Sequence, residues 1–394
     1  MYRKTYVEVD VDKIQKNIKN IKKKYSDYKY YIGVVKGNCY GHGSYLSKYV
    51  VEAGINFLAV SSLEEGLEIR KYVDTPMLCL EPIDIEFLDI AVKNNISITL
   101  SSMEYYKKLL KTKIKGLKVH LKLNTGMNRI GISNSEDVKE IYDNLINNKN
   151  IKLEGIFTHF STTGVWDTIF DYQLKRFREL TKDIDLTKIE MVHLGRSATL
   201  QLHPHIKEAN GIRLGIMMYG VGESFSRYEG LRGKLRHIKH DMVVKKNHMS
   251  KVYESSDLEL ETGFKLKTTV MEVNKFKKGE TVGYGGTYKA EKDSILAICP
   301  IGYADGITQN HKYLSVMINN KEYKIVGTVM MGMIAILVDD TVKVGDEVTV
   351  IGNNIKKEAA TTHVIPYILM TGINANIPRV YIKNGKVEKE IDYE

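Results

Sequence analysis

The chain has 394 residues, 43% of them hydrophobic, and carries 58 Lys+Arg against 48 Asp+Glu for a net charge of +10. That is enough apolar material for a packed core in two domains, or in one large barrel with a small partner, and it excludes a disordered, collagen-like or disulfide-stapled chain. Cys39, Cys79 and Cys299 form no CxxC pair, so no zinc site or disulfide framework is indicated and a reducing, cytoplasmic setting is expected. The first twenty residues contain no apolar leader core, which argues against a secretory signal. No run approaches the roughly 18 apolar residues of a membrane span.

The first half alternates short apolar runs with amphipathic stretches. The runs are 30–36, 55–62, 76–81, 96–101, 118–124, 153–160, 191–195 and 212–220. Each is nearly continuous in apolar residues, as expected of strands buried on both faces. Helical patterns lie between them, including Tyr45–Ala53, Leu63–Tyr72, Ile85–Asn94 and Glu136–Asn147. Eight βα units in sequence predict an α/β fold with an N-terminal (β/α)8 TIM-like barrel. A doubly wound open sheet competes, but no GxGxxG follows the first strand.

From about Lys265 the pattern changes to short alternating segments separated by turn residues. This predicts a C-terminal, mostly antiparallel β domain. A helix is expected over roughly 356–370, and TYVEVD at 5–10 is expected to join the β domain. The chain thus divides into a barrel over 11–222, a basic insertion or linker over 223–256, and a β domain over 257–394 that takes up the N-terminal strand 1–10. Within the insertion, Arg227–Lys251 holds eight Lys/Arg and two acids, a net +6. It lacks the interleaved aromatics of a nucleic-acid binder. His237, His240 and His248 have no ligand spacing on a defined element, so metal binding is not expected.

Barrel function resides at the C-terminal ends of the strands, and candidates recur there. Lys36 ends the first run, within VVKGNCYGHG. A structural lysine would snorkel outward; a barrel-mouth lysine suits covalent chemistry with a carbonyl. The fifth run leads into KLNTGMNRIGI, with Lys122 near its end and Arg129 in the loop. Arg129 is either a solvated surface group or a bidentate clamp for a carboxylate. His159 closes the sixth run, as a satisfied core histidine or a catalyst. Ser197, in HLGRSAT, opens a helix and offers a phosphate seat. Arg213 precedes Gly215 and Ile216, where a glycine allows close approach of the backbone to a ligand. In the second half, Tyr284 lies in TVGYGGTY, Tyr303 in PIGYADG and Met331 in VGTVMMGM.

The motifs VVKGNCYGHG, KLNTGMNRIG, THF, RLGIMMYG, VGYGGTY, PIGYADG and IPRVY follow one another in the order and at the spacing of a known family. In these the chain resembles the bacterial alanine racemases, fold-type III enzymes dependent on pyridoxal 5'-phosphate. The resemblance covers nearly the whole chain except 223–256. It implies a homodimer with shared active sites, a small amino-acid substrate, and no nucleic-acid or membrane partner. It implies that Lys36 bonds the cofactor and that Tyr40, Ser197 and the backbone of Gly215 and Ile216 contact its phosphate. Arg213 would face the pyridine nitrogen, with His159 linking Arg213 to Tyr284. Arg129 and the Met331 backbone would bind the substrate carboxylate, with Lys122 at a position often carbamylated. Tyr303 would line the entrance.

Racemisation removes the α-proton from one face and returns one to the other, so two bases are needed, here Lys36 and Tyr284 of the partner subunit. A decarboxylase on this fold would carry an acid where Arg213 stands. A non-catalytic, barrel-only binder of the cofactor would lack the domain bearing Tyr284. The chain departs from the family at Ala375-Asn376, where Tyr-Arg is usual, at Met330-Met331-Gly332 for Cys-Met-Asp, at Asn124 for aspartate, and at Arg196 for asparagine. Ala375 and Gly332 predict a wider side-chain pocket, admitting serine or a larger amino acid such as lysine or arginine. Arg196 is expected to replace a missing phosphate contact.

Overall fold

The computed structural model describes residues 3–161, 168–222 and 258–392, with six further helical positions between 235 and 246. Apart from those six, the basic insertion 223–256 lies outside the described residues. Among the described residues no helix is long and apolar enough to cross a membrane.

After an N-terminal strand β1 (Tyr6–Asp10) come β2 (Tyr30–Val34), β3 (Phe57–Val60), β4 (Met77–Cys79), β5 (Ile96–Leu100), β6 (Leu117–Lys122), β7 (Ile151–Phe157), β8 (Met191–Arg196) and β9 (Gly211–Leu214). Strands β2 to β9 close a parallel barrel in sequence order, with Tyr30 of β2 opposite Gly211 of β9. Every residue of β3, β4, β5 and β9 is buried, which is why these runs are not alternating. The intervening helices start where the chain offers a capping side chain. Ser62 accepts from the Glu65 N–H, Ser102 from that of Tyr105, and Asn134 from that of Asp137. Each such cap contributes about 1 kcal/mol.

The second sheet has ten strands in the order β11-β14-β17-β16-β15-β18-β10-β1-β19-β20. Its members after β1 are β10 (Phe264–Thr269), β11 (Glu272–Phe276), β14 (Ser294–Cys299), β15 (Ser315–Ile318), β16 (Lys321–Val326), β17 (Ile334–Val338), β18 (Glu347–Ile351), β19 (Arg379–Lys383) and β20 (Lys386–Ile391). Two short strands, β12 (Thr281–Val282) and β13 (Tyr288–Lys289), pair separately. The strand at the chain's start does join this sheet, antiparallel to β10 and parallel to β19. A tight turn with Asn319 and Asn320 both at positive φ joins β15 to β16, the conformation a right-twisted hairpin favours.

Three expectations change in detail. The first barrel strand stops at Val34, so Lys36 stands on the turn beyond it. The run 212–220 is strand only to Leu214. The helix expected over 356–370 is two helices, Ile355–Thr361 and Pro366–Thr371. His363 adopts φ 57° between them, and Pro366 has no N–H to continue a helix.

Candidate active site

Beyond β2 the chain enters a left-handed turn. Gly37, Asn38, Cys39 and Tyr40 have φ of 62°, 53°, 52° and 52°. Only glycine adopts this region freely, and each other residue costs roughly 1–2 kcal/mol. The turn persists because its polar groups are satisfied from four directions. The Glu65 carboxylate accepts the Gly37 N–H at 2.6 Å. The His42 ring lies 3.0 Å from both the Cys39 and Tyr40 carbonyls through Nδ1, which must therefore donate. Arg379 donates to the Gly41 carbonyl from Nε at 3.2 Å and Nη2 at 3.1 Å. Tyr381 donates to the His42 carbonyl at 3.0 Å. The IPRVY motif thus clamps the turn that begins with Lys36.

This turn rims a cavity of about 680 Å³ at the barrel mouth. Of the residues expected to act, Lys36, Tyr40, Lys122, Arg129, His159, Ser197, Arg213, Gly215 and Ile216 all line it. Five basic side chains, Lys36, Lys122, Arg129, Arg196 and Arg213, line it with one carboxylate, Glu81. Such a cavity favours an anionic occupant. Tyr40 is stacked on Tyr219 at 4.7 Å and tilted against Tyr367 at 5.7 Å. The Gly215 N–H donates to Ser197 Oγ at 3.0 Å. A Cβ on Gly215 would stand 2.7 Å from the Tyr40 hydroxyl and 4.0 Å from Ser197 Oγ. The space bounded by these three groups exists only because residue 215 is glycine.

Arg213 is held from several sides. It donates to the carbonyls of His193 (2.6 Å), Thr158 (2.7 Å) and Leu194 (3.0 Å), to His193 Nδ1 (2.8 Å) and, at 3.5 Å, to His159 Nδ1. Burial, then the charges of Arg196 and Arg129, push its guanidinium down to about 9. Burial, then Arg213 and Lys122, push His159 well below the ordinary histidine range, so its ring is neutral and accepts at Nδ1. Lys122 lies 4.4 Å above the Phe157 ring. Burial and the charges of Arg213 and Arg129 drive its amine well below the usual lysine range.

Tyr284, Tyr303 and Met331 do not line this cavity. They are exposed on the second domain, Tyr284 by 76% and Met331 by 62%. Their loops are tied together: the Thr328 hydroxyl donates to the Tyr284 carbonyl at 3.0 Å, and the Ala304 N–H to the Met331 carbonyl at 2.9 Å. The sequence reading did not single out Glu65, His42, Tyr219 or Tyr367. Their signal is contact with the lysine turn or with Tyr40, which no local pattern carries.

The family model described as alanine racemase, N-terminal domain, matches residues 9–223, and that described as alanine racemase, C-terminal domain, matches 264–381. A relative from Bacillus subtilis, alanine racemase 1, is 32% identical over 98% of this chain and 95% of its own length. The crystal structure of alanine racemase from Bacillus anthracis with bound L-Ala-P superposes with a TM-score of 0.84 at 31% identity, covering 100% of this chain and 98% of that one. A histidine racemase from Leuconostoc mesenteroides gives a TM-score of 0.81 at 25% identity, covering 97% and 99%. Matched by both domain models in order and by relatives along nearly its whole length, the chain belongs to the alanine racemase family of isomerases.

Proposed function

We propose that the cavity binds pyridoxal 5'-phosphate and that the protein, as a homodimer, interconverts L- and D-alanine. The observation that carries this reading is the set of five basic side chains lining the cavity with one carboxylate, with Lys36 on a strained turn among them. The cofactor supplies an aldehyde for an amine and a ring that takes up the electron pair left when the α-proton departs. The residues present fit it: Ser197, Tyr40 and the backbone of Gly215 and Ile216 surround a space that a single added Cβ would fill.

In this reading Lys36 binds the cofactor and moves the α-proton on one face of the substrate. Tyr284 of the partner subunit moves it on the other. Arg129 and the backbone of Met331 orient the substrate carboxylate, and Tyr303 lines the entrance. Arg213 faces the ring nitrogen as a donor too weakly acidic to surrender its proton. His159, accepting from Arg213 at Nδ1, presents Nε2–H toward Tyr284 of the partner subunit. Lys122, driven toward its neutral form beside two arginines, suits carbamylation, which would give both an anionic partner. The barrel 11–222 would carry the cofactor and the domain 257–394 the partner's share of the site. The three buried, free cysteines fit a cytoplasmic setting.

A second reading, a racemase preferring serine or a larger amino acid such as lysine or arginine, rests on Gly332, beside whose missing Cβ nothing lies within 4 Å. The histidine racemase among the structural relatives accords with it. The test is a visible spectrum and a racemisation assay on purified protein. A cofactor absorption band is expected that Lys36→Ala loses, with turnover of alanine. Absence of the band sinks the cofactor reading. Faster turnover of serine, lysine, arginine or histidine than of alanine replaces the first reading with the second.

A further inference from the structure

One side of the barrel interior is lined by polar side chains that the chemistry above leaves unused. Ser97, His120, Glu154 and His193 are all more than nine-tenths buried. Branched apolar residues would fill a barrel without any need for partners. We propose that Glu154, His120 and His193 are positioning residues: a one-way hydrogen-bond chain that fixes Arg213 as a charged, donor-only group at the barrel mouth. That Arg213 then acts on a ring nitrogen rests on the function proposed above; the chain itself does not.

The direction follows from the chemistry at the two ends. Arginine has only donors. Arg213 Nη1 lies 2.8 Å from His193 Nδ1, so that nitrogen accepts and the proton of His193 sits on Nε2. This Nε2 is 2.9 Å from His120 Nδ1, which therefore also accepts. The proton of His120 is then on Nε2, 3.0 Å from Glu154 Oε2. An ionised carboxylate has only acceptors. Ser97 Oγ donates to the same oxygen at 2.5 Å, and Lys118 Nζ lies 3.6 Å from the other. Each ring has one permitted tautomer, because reversing either sets two donors face to face. Burial opposes the Glu154 charge, but the bonds from His120 and Ser97 hold its carboxyl below the usual carboxylate range.

The backbone is adapted to this chain. Between β6 and β7, Val119 pairs with Leu153 but His120 with Gly155. Glu154 is the extra residue of a bulge, a device that re-aims a side chain, and here it meets His120. A Cβ on Gly155 would overlap the His120 ring. Phe157 stacks on His193 at 4.6 Å with the planes 9° apart, fixing the second ring. The consequence lies at Arg213. It is buried, and burial, then the charges of Arg196 and Arg129, disfavour its own charge. A buried carboxylate two imidazoles away offsets them, and the chain denies the guanidinium any other orientation.

The test uses protein labelled with 15N in histidine, first without pyridoxal phosphate and then loaded with it. In the unloaded wild type, His120 and His193 are each expected as a single Nε2–H tautomer. Mixed tautomers there overturn the chain. Glu154→Gln keeps an acceptor oxygen for His120 and removes only the charge. In the variant loaded with pyridoxal phosphate that is 15N-labelled at its ring nitrogen, that resonance should move, and kcat should fall about tenfold with KM nearly unchanged, the scale of one charge-assisted bond. A lower melting temperature with the resonance and kcat of wild type would mean a structural role only, and overturns the proposal. If the wild type takes up no pyridoxal phosphate, the cofactor reading fails on its own, and the tautomers of the unloaded protein still decide the chain.

Discussion

His42, His159 and His193 are buried as neutral rings, and burial holds each below the ordinary value of 6.5, His42 at about 4. The unfolded chain binds a proton at each site near pH 6.5, where the folded chain does not. The unfolded state therefore holds more protons below that pH, and stability falls as the solution is acidified from 6.5 toward 4. Each ring contributes up to about 1.4 kcal/mol per pH unit in this window. Glu154, held near 2 against an ordinary 4.5, adds its own loss only below about 4.5. Thermal melts should decline between pH 6.5 and 4.5, with a shallower decline in His42→Asn; equal melting temperatures at both ends of that window would refute this. At this scale the sequence was legible where chemistry and motif coincide. Lys36, Arg129, Ser197 and Arg213 stand out because charged or hydroxyl groups at strand ends need a reason. Glu65 and His42 do not stand out, since the groups they satisfy are carbonyls and N–H groups of a turn made by tertiary contacts.

The turn at Lys36–Tyr40 is the element on which the cavity depends, and it leans on the helix Pro366–Thr371. Gly41 has φ +82°, and a Cβ there would overlap the Met370 carbonyl. Gly41→Ala adds a steric conflict to backbone strain, so a loss of roughly 2 kcal/mol or more is expected. Gly345 has φ +92° but nothing within 4 Å of its missing Cβ, so Gly345→Ala should cost only about 1 kcal/mol. Denaturant unfolding of both variants distinguishes clash from strain, and Gly41→Ala alone should weaken retention of pyridoxal phosphate. Equal costs would show that the contact with Met370 yields easily. Barrel strands were legible as elements because burial on both faces leaves a continuous apolar run. The left-handed turn was not: asparagine, cysteine and tyrosine have no strong preference for it, and Glu65, Arg379 and Tyr381 impose it. The bulge at Glu154 is equally silent, since one extra residue leaves the apolar pattern of β7 intact.

On the scale of the molecule, the cavity on the barrel and the exposed Tyr284, Tyr303 and Met331 lie apart within one chain. If two chains complete each other's sites, Lys36→Ala mixed with Tyr284→Phe should regain activity that neither variant shows alone. Random re-pairing places one intact site in half of the dimers, for at most about a quarter of wild-type activity. No recovery after re-pairing would mean that both groups act within one chain. The barrel and the β domain were legible from the change of period near residue 265, whereas the sheet's strand order was not, because β1 enters it from the far end of the chain. That placement has a consequence for how the protein comes into being. The lysine turn and its clamps, Arg379 and Tyr381, are separated by 338 and 339 residues of chain, so the clamps are made long after the turn. During synthesis the barrel can close around its own strands while the turn still lacks those partners. The turn that rims the cavity is thus fixed late and at once, when β19 settles beside β1. A chain truncated before β19 would carry the Lys36 turn without the bonds from Arg379 and Tyr381.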